Sequence, residues 1–482
     1  MQTASSAEKR DESLYEGVAR RVAELIAGGS FKPGDRLYSL RTLSRQMGVS
    51  MSTAIEAYGV LEDQGLIEAR PQSGYFVRRR SAAPCPRNIS STAAAAPVEV
   101  NIAERTHQLL VQAHNPKLVQ FGAAIPNPDL LPLSQLASSM IEILRDNPRD
   151  DSLYDVPPGC EPLRVQVSRR LGAAGCVVAT DDIVTTNGCQ EAIYLALRAI
   201  CKPGDTVALE SPTYFGFLQI IQALGLRALE VPTHPVEGII LEALVDAIEE
   251  HDVRAVIVQS AFSNPTGSSL STQKKRELYS LIASREIPLI EDDIYGDLSY
   301  NLDRPRLVKE YDTEGLVLLC SSFSKTLAPG YRVGWIAPGR YRKEVAIQKS
   351  VLNIATAGAP QAAIASFLAR GRYDQHLRRI KRIYARNTSA MAEAIALCFP
   401  QGTRVSDPPG GFVLWVEMPE SVDALALADW ALTAGMTVAP GSIFSAKARY
   451  AHSIRLNAAY WSDATRPFLE ALGRKACDMA LG

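Results

Sequence analysis

The sequence predicts an α/β protein built from two modules and a linker. Residues 1–80 form a small helical module closed by a β-hairpin, residues 81–115 a linker, and residues 116–482 a larger domain with a mostly parallel sheet and a smaller C-terminal part. Three observations carry this. Short apolar runs alternate with helical patterns through the second half. A stretch rich in small residues and proline, Ser81–Pro97, separates that half from what precedes it. Before the stretch, apolar residues recur at helical spacing and then give way to two short strands.

Composition bounds the function. At 482 residues there is ample chain for more than one core. Hydrophobic residues at 46% and charged residues at 21% are ordinary for a soluble globular protein. A net charge of −1 means that any DNA-binding face must be local. The eight cysteines form no CxxC pair and no cluster with histidine. That argues against a metal site or a disulfide framework and fits a reducing, cytoplasmic setting. The first twelve residues lack an apolar core and are not expected to act as a signal peptide. No run of about 18 apolar residues is available to span a membrane.

In the first module, Tyr15–Ala27 places Val18, Val22, Leu25 and Ile26 on one helical face. Lys32-Pro33-Gly34-Asp35 is a turn. Leu40, Leu43 and Met47 mark a second short helix, which Gly48 ends. Ser50 or Ser52 can cap a third, with Ala54, Ile55, Tyr58 and Leu61 as its expected apolar face and Gly65 beyond its end. Strands at Leu66–Arg70 and Tyr75–Arg79 follow, joined by Pro71-Gln72-Ser73-Gly74. Helix–turn–helix plus hairpin is a winged helix, whose third helix suits a DNA major groove. Residues 31–77 resemble the DNA-binding domain of GntR-type bacterial regulators. The matching stretches are Lys32–Leu37, Ser39-Leu40-Arg41, Gly48-Val49-Ser50, Leu61–Ile67 and Ser73–Val77. The resemblance implies DNA contacts from Arg41, Ser52, Thr53 and the wing at Gly74. Tyr38 stands where the family usually has proline, and Met51 where a polar residue is common.

In the second module, Ile183–Thr186, Thr206–Glu210, Ala255–Gln259, Pro288–Glu291, Leu316–Cys320 and Val333–Ala337 read as strands. Helical stretches such as Gln190–Ile200 and Gln273–Ser284 lie between several of them. Ligands of such sheets bind outside the carboxyl ends of the strands. Ser321–Trp335 follows one of these strands and holds Lys325 among small hydroxyl residues, with Arg332 close in sequence. A buried lysine can condense with an aldehyde, and serines with an arginine can hold a phosphate. That is the chemistry of a pyridoxal phosphate site. Asn187–Gln190 opens a helix after a strand, where exposed N–H groups suit a phosphate. Tyr214 offers an aromatic face at the same edge. Asn264-Pro265-Thr266-Gly267 is a strand-end turn, and Glu291-Asp292-Asp293 places acids where one can meet a protonated pyridine nitrogen.

In this order the patches resemble the fold-type I aminotransferases over most of residues 118–460. The resemblance implies that Lys325 forms the Schiff base and that Asp292 meets the pyridine nitrogen. It places Asn264 and Tyr295 at the 3′ oxygen and Tyr214 on the ring. Gly188, Cys189, Gln190, Ser322 and Arg332 then hold the phosphate, and Tyr154 reaches the phosphate of the other subunit. Arg455 clamps an α-carboxylate. Cys189 stands where a hydroxyl residue is frequent, so its backbone amide is the part expected to act. The basic stretch His376–Arg382 reads as the solvated face of a helix. Together the modules resemble the MocR subgroup of GntR regulators. That layout implies a pyridoxal phosphate-dependent transcriptional regulator, a homodimer, that binds a DNA operator. It senses pyridoxal phosphate, or an amino acid or amine, through an aldimine at Lys325. The alternative is a working aminotransferase that carries a DNA-binding arm.

Overall fold

Val22, Leu43, Ala54, Tyr58 and Leu61 are completely buried and gather the N-terminal module around themselves. The structure is a computed structural model that describes residues 13–63, 65–70, 73–77, 84–86, 96–101, 103–146, 153–301 and 303–481. Helices α1 (Leu14–Ala27), α2 (Leu40–Met47) and α3 (Met51–Asp63) precede strands β1 (Ile67–Arg70) and β2 (Gly74–Val77). Ser39 Oγ accepts the Thr42 N–H at 3.2 Å and Ser50 Oγ the Thr53 N–H at 3.1 Å, so each serine caps its helix. Gly48 ends α2 in the left-handed region at φ 66°. β1 and β2 pair antiparallel with Ile67 opposite Val77. The expected turn residues Pro71 and Gln72, and Arg78 and Arg79 at the end of the second strand, lie outside the described residues.

One expectation is corrected here. Ile55 is 49% exposed and does not belong to the buried face of α3. The buried set is Ala54, Ala57, Tyr58 and Leu61, the i, i+3, i+4, i+7 pattern of one helical stripe. Tyr38, in place of the usual proline, packs its ring edge-on against Phe31 at 5.2 Å, and its carbonyl accepts from the Tyr58 hydroxyl at 2.8 Å.

The chain divides into two compact units, one of residues 1–81 and 300–303 and one of residues 82–299 and 304–482. The second unit begins with pieces of the expected linker, whose residues 81–83 and 87–95 lie outside the description. The Val405 N–H donates to Pro84 O at 3.1 Å, and Val98 exchanges two 2.9 Å backbone bonds with Ala228. Helix α4 (Ala103–Gln112) follows, and Thr106 accepts from Gln219 at 2.6 Å. These described pieces are therefore held on the second unit by backbone and side-chain bonds.

Next come β3 (Val119–Gln120), α5 (Leu133–Asp146), α6 (Glu161–Ala173), β4 (Val184–Thr186), α7 (Cys189–Ile200), β5 (Thr206–Ser211) and α8 (Phe215–Ala223). Then follow β6 (Arg227–His234), β7 (Gly238–Ile239), α9 (Leu241–Glu250), β8 (Val253–Val258), α10 (Thr272–Ser284), β9 (Leu289–Asp292), β10 (Val317–Ser322) and β11 (Gly334–Ala337). The large sheet is eight-stranded, in the order β4-β11-β10-β9-β8-β5-β6-β7. β10, β9, β8, β5 and β6 run parallel. β11 is antiparallel to both of its neighbours. Apolar clusters cover both faces, which is why these strands read as continuous apolar runs.

Helices α11 (Arg342–Asn353), α12 (Gly358–Ala369) and α13 (Arg372–Cys398) lead to the smaller part. There β12 (Arg404–Val405), β13 (Val413–Glu417), α14 (Ala424–Thr433), β14 (Met436–Thr437), β15 (Ala439–Pro440), β16 (Ser453–Asn457) and α15 (Arg466–Leu481) surround their own core. β12, β13, β16 and β15 form a four-stranded antiparallel sheet, and β14 pairs with β3. Among the described residues no helix is long and apolar enough to cross a membrane.

The N-terminal core is small, so each member matters. Leu61→Ala is expected to cost that module about 2–5 kcal/mol, read as an earlier unfolding transition of the N-terminal module in chemical denaturation.

Candidate functional site

Strand direction brings the candidate residues together. Asp292 is the last residue of β9, and Tyr214, Asn264 and Lys325 follow the carboxyl ends of β5, β8 and β10. Because β11 runs the other way, Arg332, just before its start, reaches the same edge. A pocket at this edge is lined by Cys189, Gln190, Tyr214, Gln259, Asn264, Asp292, Tyr295, Ser322, Ser324, Lys325 and Arg332, with Ile193, Phe217, Ile220 and Ile294 as apolar walls.

Asp292 is buried and accepts three bonds: from Gln259 Nε2 at 2.8 Å, from the Cys189 thiol at 3.2 Å and from the Ile294 N–H at 3.0 Å. Burial pushes its carboxyl up to about 6, against the pull of these donors and of Lys325. Gln259 also accepts the Asn264 N–H at 2.8 Å, so one amide fixes both the acid and the turn. Neither Gln259 nor the Cys189 thiol was legible as a partner. Gln259 sits at the end of a strand that reads as plain core, and the expectation for Cys189 stopped at its backbone.

Lys325 Nζ donates to the Ala124 carbonyl at 2.6 Å and lies 5.8 Å from the centre of the Tyr295 ring. Burial, then the Arg455 guanidinium, lower its pKa to about 8, with Asp292 opposing. Arg455 is fully buried on β16 and faces the Phe444 ring at 5.2 Å. Its Nη1 donates to Asn264 Oδ1 at 3.0 Å, its Nη2 donates to the Gly122 carbonyl, and burial lowers it to about 10. Asn457, two residues on and so on the same face of the strand, donates to the Ala123 and Ile125 carbonyls at 2.7 and 2.8 Å. Segment 122–125 is thus held by Lys325, Arg455 and Asn457 together.

At the other end of the pocket, Gly188 precedes α7 with φ 87°, which glycine adopts without strain. A Cβ on it would lie 2.4 Å from Arg332 Nη2. Cys189 and Gln190 open the helix, whose first N–H groups have no intrahelical partners. Arg332 donates to Asn187 O at 2.9 Å and to Ser324 Oγ at 3.4 Å, while Ser322 Oγ accepts the Ser324 N–H at 3.3 Å. Tyr214 donates to Gln190 Oε1 at 3.4 Å. Tyr154 does not join them: it is 77% exposed and lines a different groove with Leu153 and Asp155. In the first unit, Arg41, Ser52 and Gly74 are exposed and Thr53 is half-buried. Gly74 opens β2 at φ 97°.

Among the buried polar atoms of the described residues that have no hydrogen-bond partner, two belong to this set: the Tyr295 hydroxyl and Arg455 Nε. A poised lysine, a buried carboxylate, an unsatisfied phenol and a glycine-opened helix start beside an arginine fit the aldehyde, pyridine nitrogen, phenolic oxygen and phosphate of pyridoxal phosphate.

Such a fold and site define a class I and II aminotransferase domain. The profile described as "Aminotransferase class I and II" matches residues 132–472, and the chain belongs to that pyridoxal phosphate-dependent family. "Bacterial regulatory proteins, gntR family" matches residues 14–77. The chain is similar to the uncharacterized HTH-type transcriptional regulator YjiR of Escherichia coli (strain K12), with 38% identity over 460 residues, 95% of this chain and 98% of that one. The uncharacterized HTH-type transcriptional regulator YdcR of the same organism is 35% identical over 461 residues, with the same coverage. Among solved structures, LysN, the alpha-aminoadipate aminotransferase of Thermus thermophilus, shares 27% identity at a TM-score of 0.72, covering 78% of this chain and 95% of its own. The protein is therefore a GntR-type regulator with an aminotransferase-like domain, which is the MocR-type layout.

The state of Lys325 gives a direct test. Its amine is neutral above about pH 8. Condensation of the cofactor-free protein with pyridoxal phosphate, followed by absorbance, should accelerate through pH 8 and then level. An ordinary lysine would keep accelerating to beyond about pH 10.

Proposed function

We infer that the protein is a cytoplasmic DNA-binding transcriptional regulator that senses pyridoxal phosphate, or an amino acid or amine, through the amine of Lys325. One observation supports this above others: Lys325 and Arg455 both rest on carbonyls of the same segment, Ala124 and Gly122. A ligand that engages the lysine with an amine-reactive group and the arginine with a carboxylate takes both away from that segment. Asn457 and the Thr437 hydroxyl, which accepts the Gly122 N–H at 2.9 Å, then still hold it. A ligand with different contacts in two arrangements shifts their populations, and the shift is the signal.

When bound, pyridoxal phosphate supplies an aldehyde for amines and a ring that accepts electrons. Asp292, ionised above about pH 6, offers its carboxylate to the pyridine nitrogen, with Gln259 and the Cys189 thiol fixing its oxygens. Tyr295 and Asn264 turn polar groups to the 3′ oxygen, and Tyr214 gives a face to the ring. Gly188, Cys189 and Gln190 present N–H groups to the phosphate, beside Ser322 and Arg332. Arg455 orients a carboxylate. Tyr154 serves the site of a second copy in a homodimer, since within its own chain it stands on the surface. In the first unit, Arg41, Ser52, Thr53 and the wing at Gly74 contact the operator.

The second reading, a working aminotransferase with a DNA-binding arm, is favoured by the intact Lys325–Asp292 pair. An absorption titration of the pyridoxal phosphate-loaded protein with amino acids and amines separates the two. Spectral change without keto-acid product marks a receptor, and catalytic product marks an enzyme. Lys325→Ala is expected to abolish both the spectral response and any ligand dependence of DNA affinity. If the variant kept the full ligand response, sensing through Lys325 would be untenable.

DNA binding has its own test. Arg41→Ala is expected to weaken operator binding by about 1–3 kcal/mol, measured by fluorescence anisotropy. Binding of the native protein should fall steeply with salt, because phosphate contacts dominate affinity. An operator affinity equal to that for random DNA would sink the regulator reading.

A further inference from the structure

Beneath the Asn187–Gln190 turn lies an ion pair that the site described above does not use. Lys349, on α11, meets Glu191, on α7, at 2.6 Å, with side-chain exposures of 2% and 8%. Two charges this far from water persist only when paired and hydrogen-bonded. Both are. Glu191 Oε2 accepts the Asn187 N–H at 2.7 Å, and Lys349 Nζ also donates to Thr356 Oγ1 at 2.8 Å. The Asn187 peptide is therefore gripped from both sides: its N–H by Glu191 and its carbonyl by Arg332 at 2.9 Å. From Thr356 the contacts continue. Gln361 Nε2 donates to Thr356 O at 3.0 Å, to Ala357 O at 3.2 Å and to Asp155 Oδ2 at 3.3 Å. Between Lys349 and Thr356, Ile354 holds φ 62°, a region that a β-branched residue occupies only when its surroundings force it.

The charge balance of this pair matters more than its packing. Glu191 lies in the first turn of α7, at the helix end that attracts anions. An uncompensated carboxylate there repels any phosphate bound at the N–H groups of the same turn. Lys349 removes that repulsion while Glu191 continues to orient the Asn187 peptide.

We propose that Lys349 is a positioning residue for phosphate binding: it neutralises Glu191 beneath the Asn187–Gln190 turn and ties that turn to the loop that carries Thr356. This rests on the reading of the turn as the phosphate holder. Its signature is specific to phosphate. Pyridoxal, which has the same ring and aldehyde without the phosphate, feels no repulsion from Glu191.

The experiment compares the affinities of pyridoxal phosphate and of pyridoxal for the full-length, cofactor-free protein by absorbance titration. In Lys349→Met, pyridoxal phosphate affinity is expected to fall about tenfold or more, with pyridoxal affinity unchanged. In the Lys349→Met/Glu191→Gln double variant the carboxylate is gone, and most of the loss is recovered. A Lys349→Met protein that keeps the native ratio of the two affinities overturns the proposal. So does one in which both ligands weaken equally, since that marks a general packing role. Failure of the phosphate reading shows separately, as a native protein that binds both ligands alike, and it removes the proposal with it. Should Lys349→Met not fold, Thr356→Val carries the test. It deletes one hydroxyl and keeps the ion pair, and it is expected to lower the ratio by a smaller factor with pyridoxal unaffected. An unchanged ratio there overturns the tie to the loop.

Discussion

A carboxylate buried at the end of a strand sets the terms for the whole site. Asp292 cannot stay ionised away from water without donors, and each donor it recruits is attached to something else. Gln259 brings the Asn264 turn, because its amide oxygen accepts the backbone N–H of that residue. Cys189 brings the start of α7. Asn264 then meets Arg455 from the smaller sheet. Satisfying one charge therefore links two strand ends, a helix start and the second sheet into one hydrogen-bonded set.

The same constraint governs the cations. Lys325 and Arg455 are both lowered by burial, and Arg455 is a cause of the shift at Lys325. Two positive groups are tolerated in one pocket because carbonyl oxygens of segment 122–125 and the Asn264 amide accept from them. Where a buried donor or acceptor still lacks a partner, at Arg455 Nε and the Tyr295 hydroxyl, the pocket has capacity that the protein itself does not fill.

Much of this was legible in the sequence, for physical reasons. Strands buried on both faces appear as apolar runs, so β8, β9 and β10 stood out, and chemistry at a strand end follows the run that leads to it. What stayed hidden depends on contacts between residues far apart in sequence. Lys349 lies 158 positions from Glu191 and looks like any polar residue on a helix. Arg227–His234 carries charge and proline, so its role as β6 was masked by composition. Ile55 shows the opposite failure: its apolar character suggested burial, but its position on α3 turns it outward.

The reversed direction of β11 has one more effect. Lys325 and Arg332 belong to a single hairpin, anchored by the pairing of β10 with β11 from Leu319–Ala337 to Ser322–Gly334. The lysine and the arginine of the pocket are thus carried on one connection between paired strands. Closing or tilting the smaller part of the unit changes the distance from Arg455 to either of them. It leaves the separation of Lys325 from Arg332 to the hairpin that carries both.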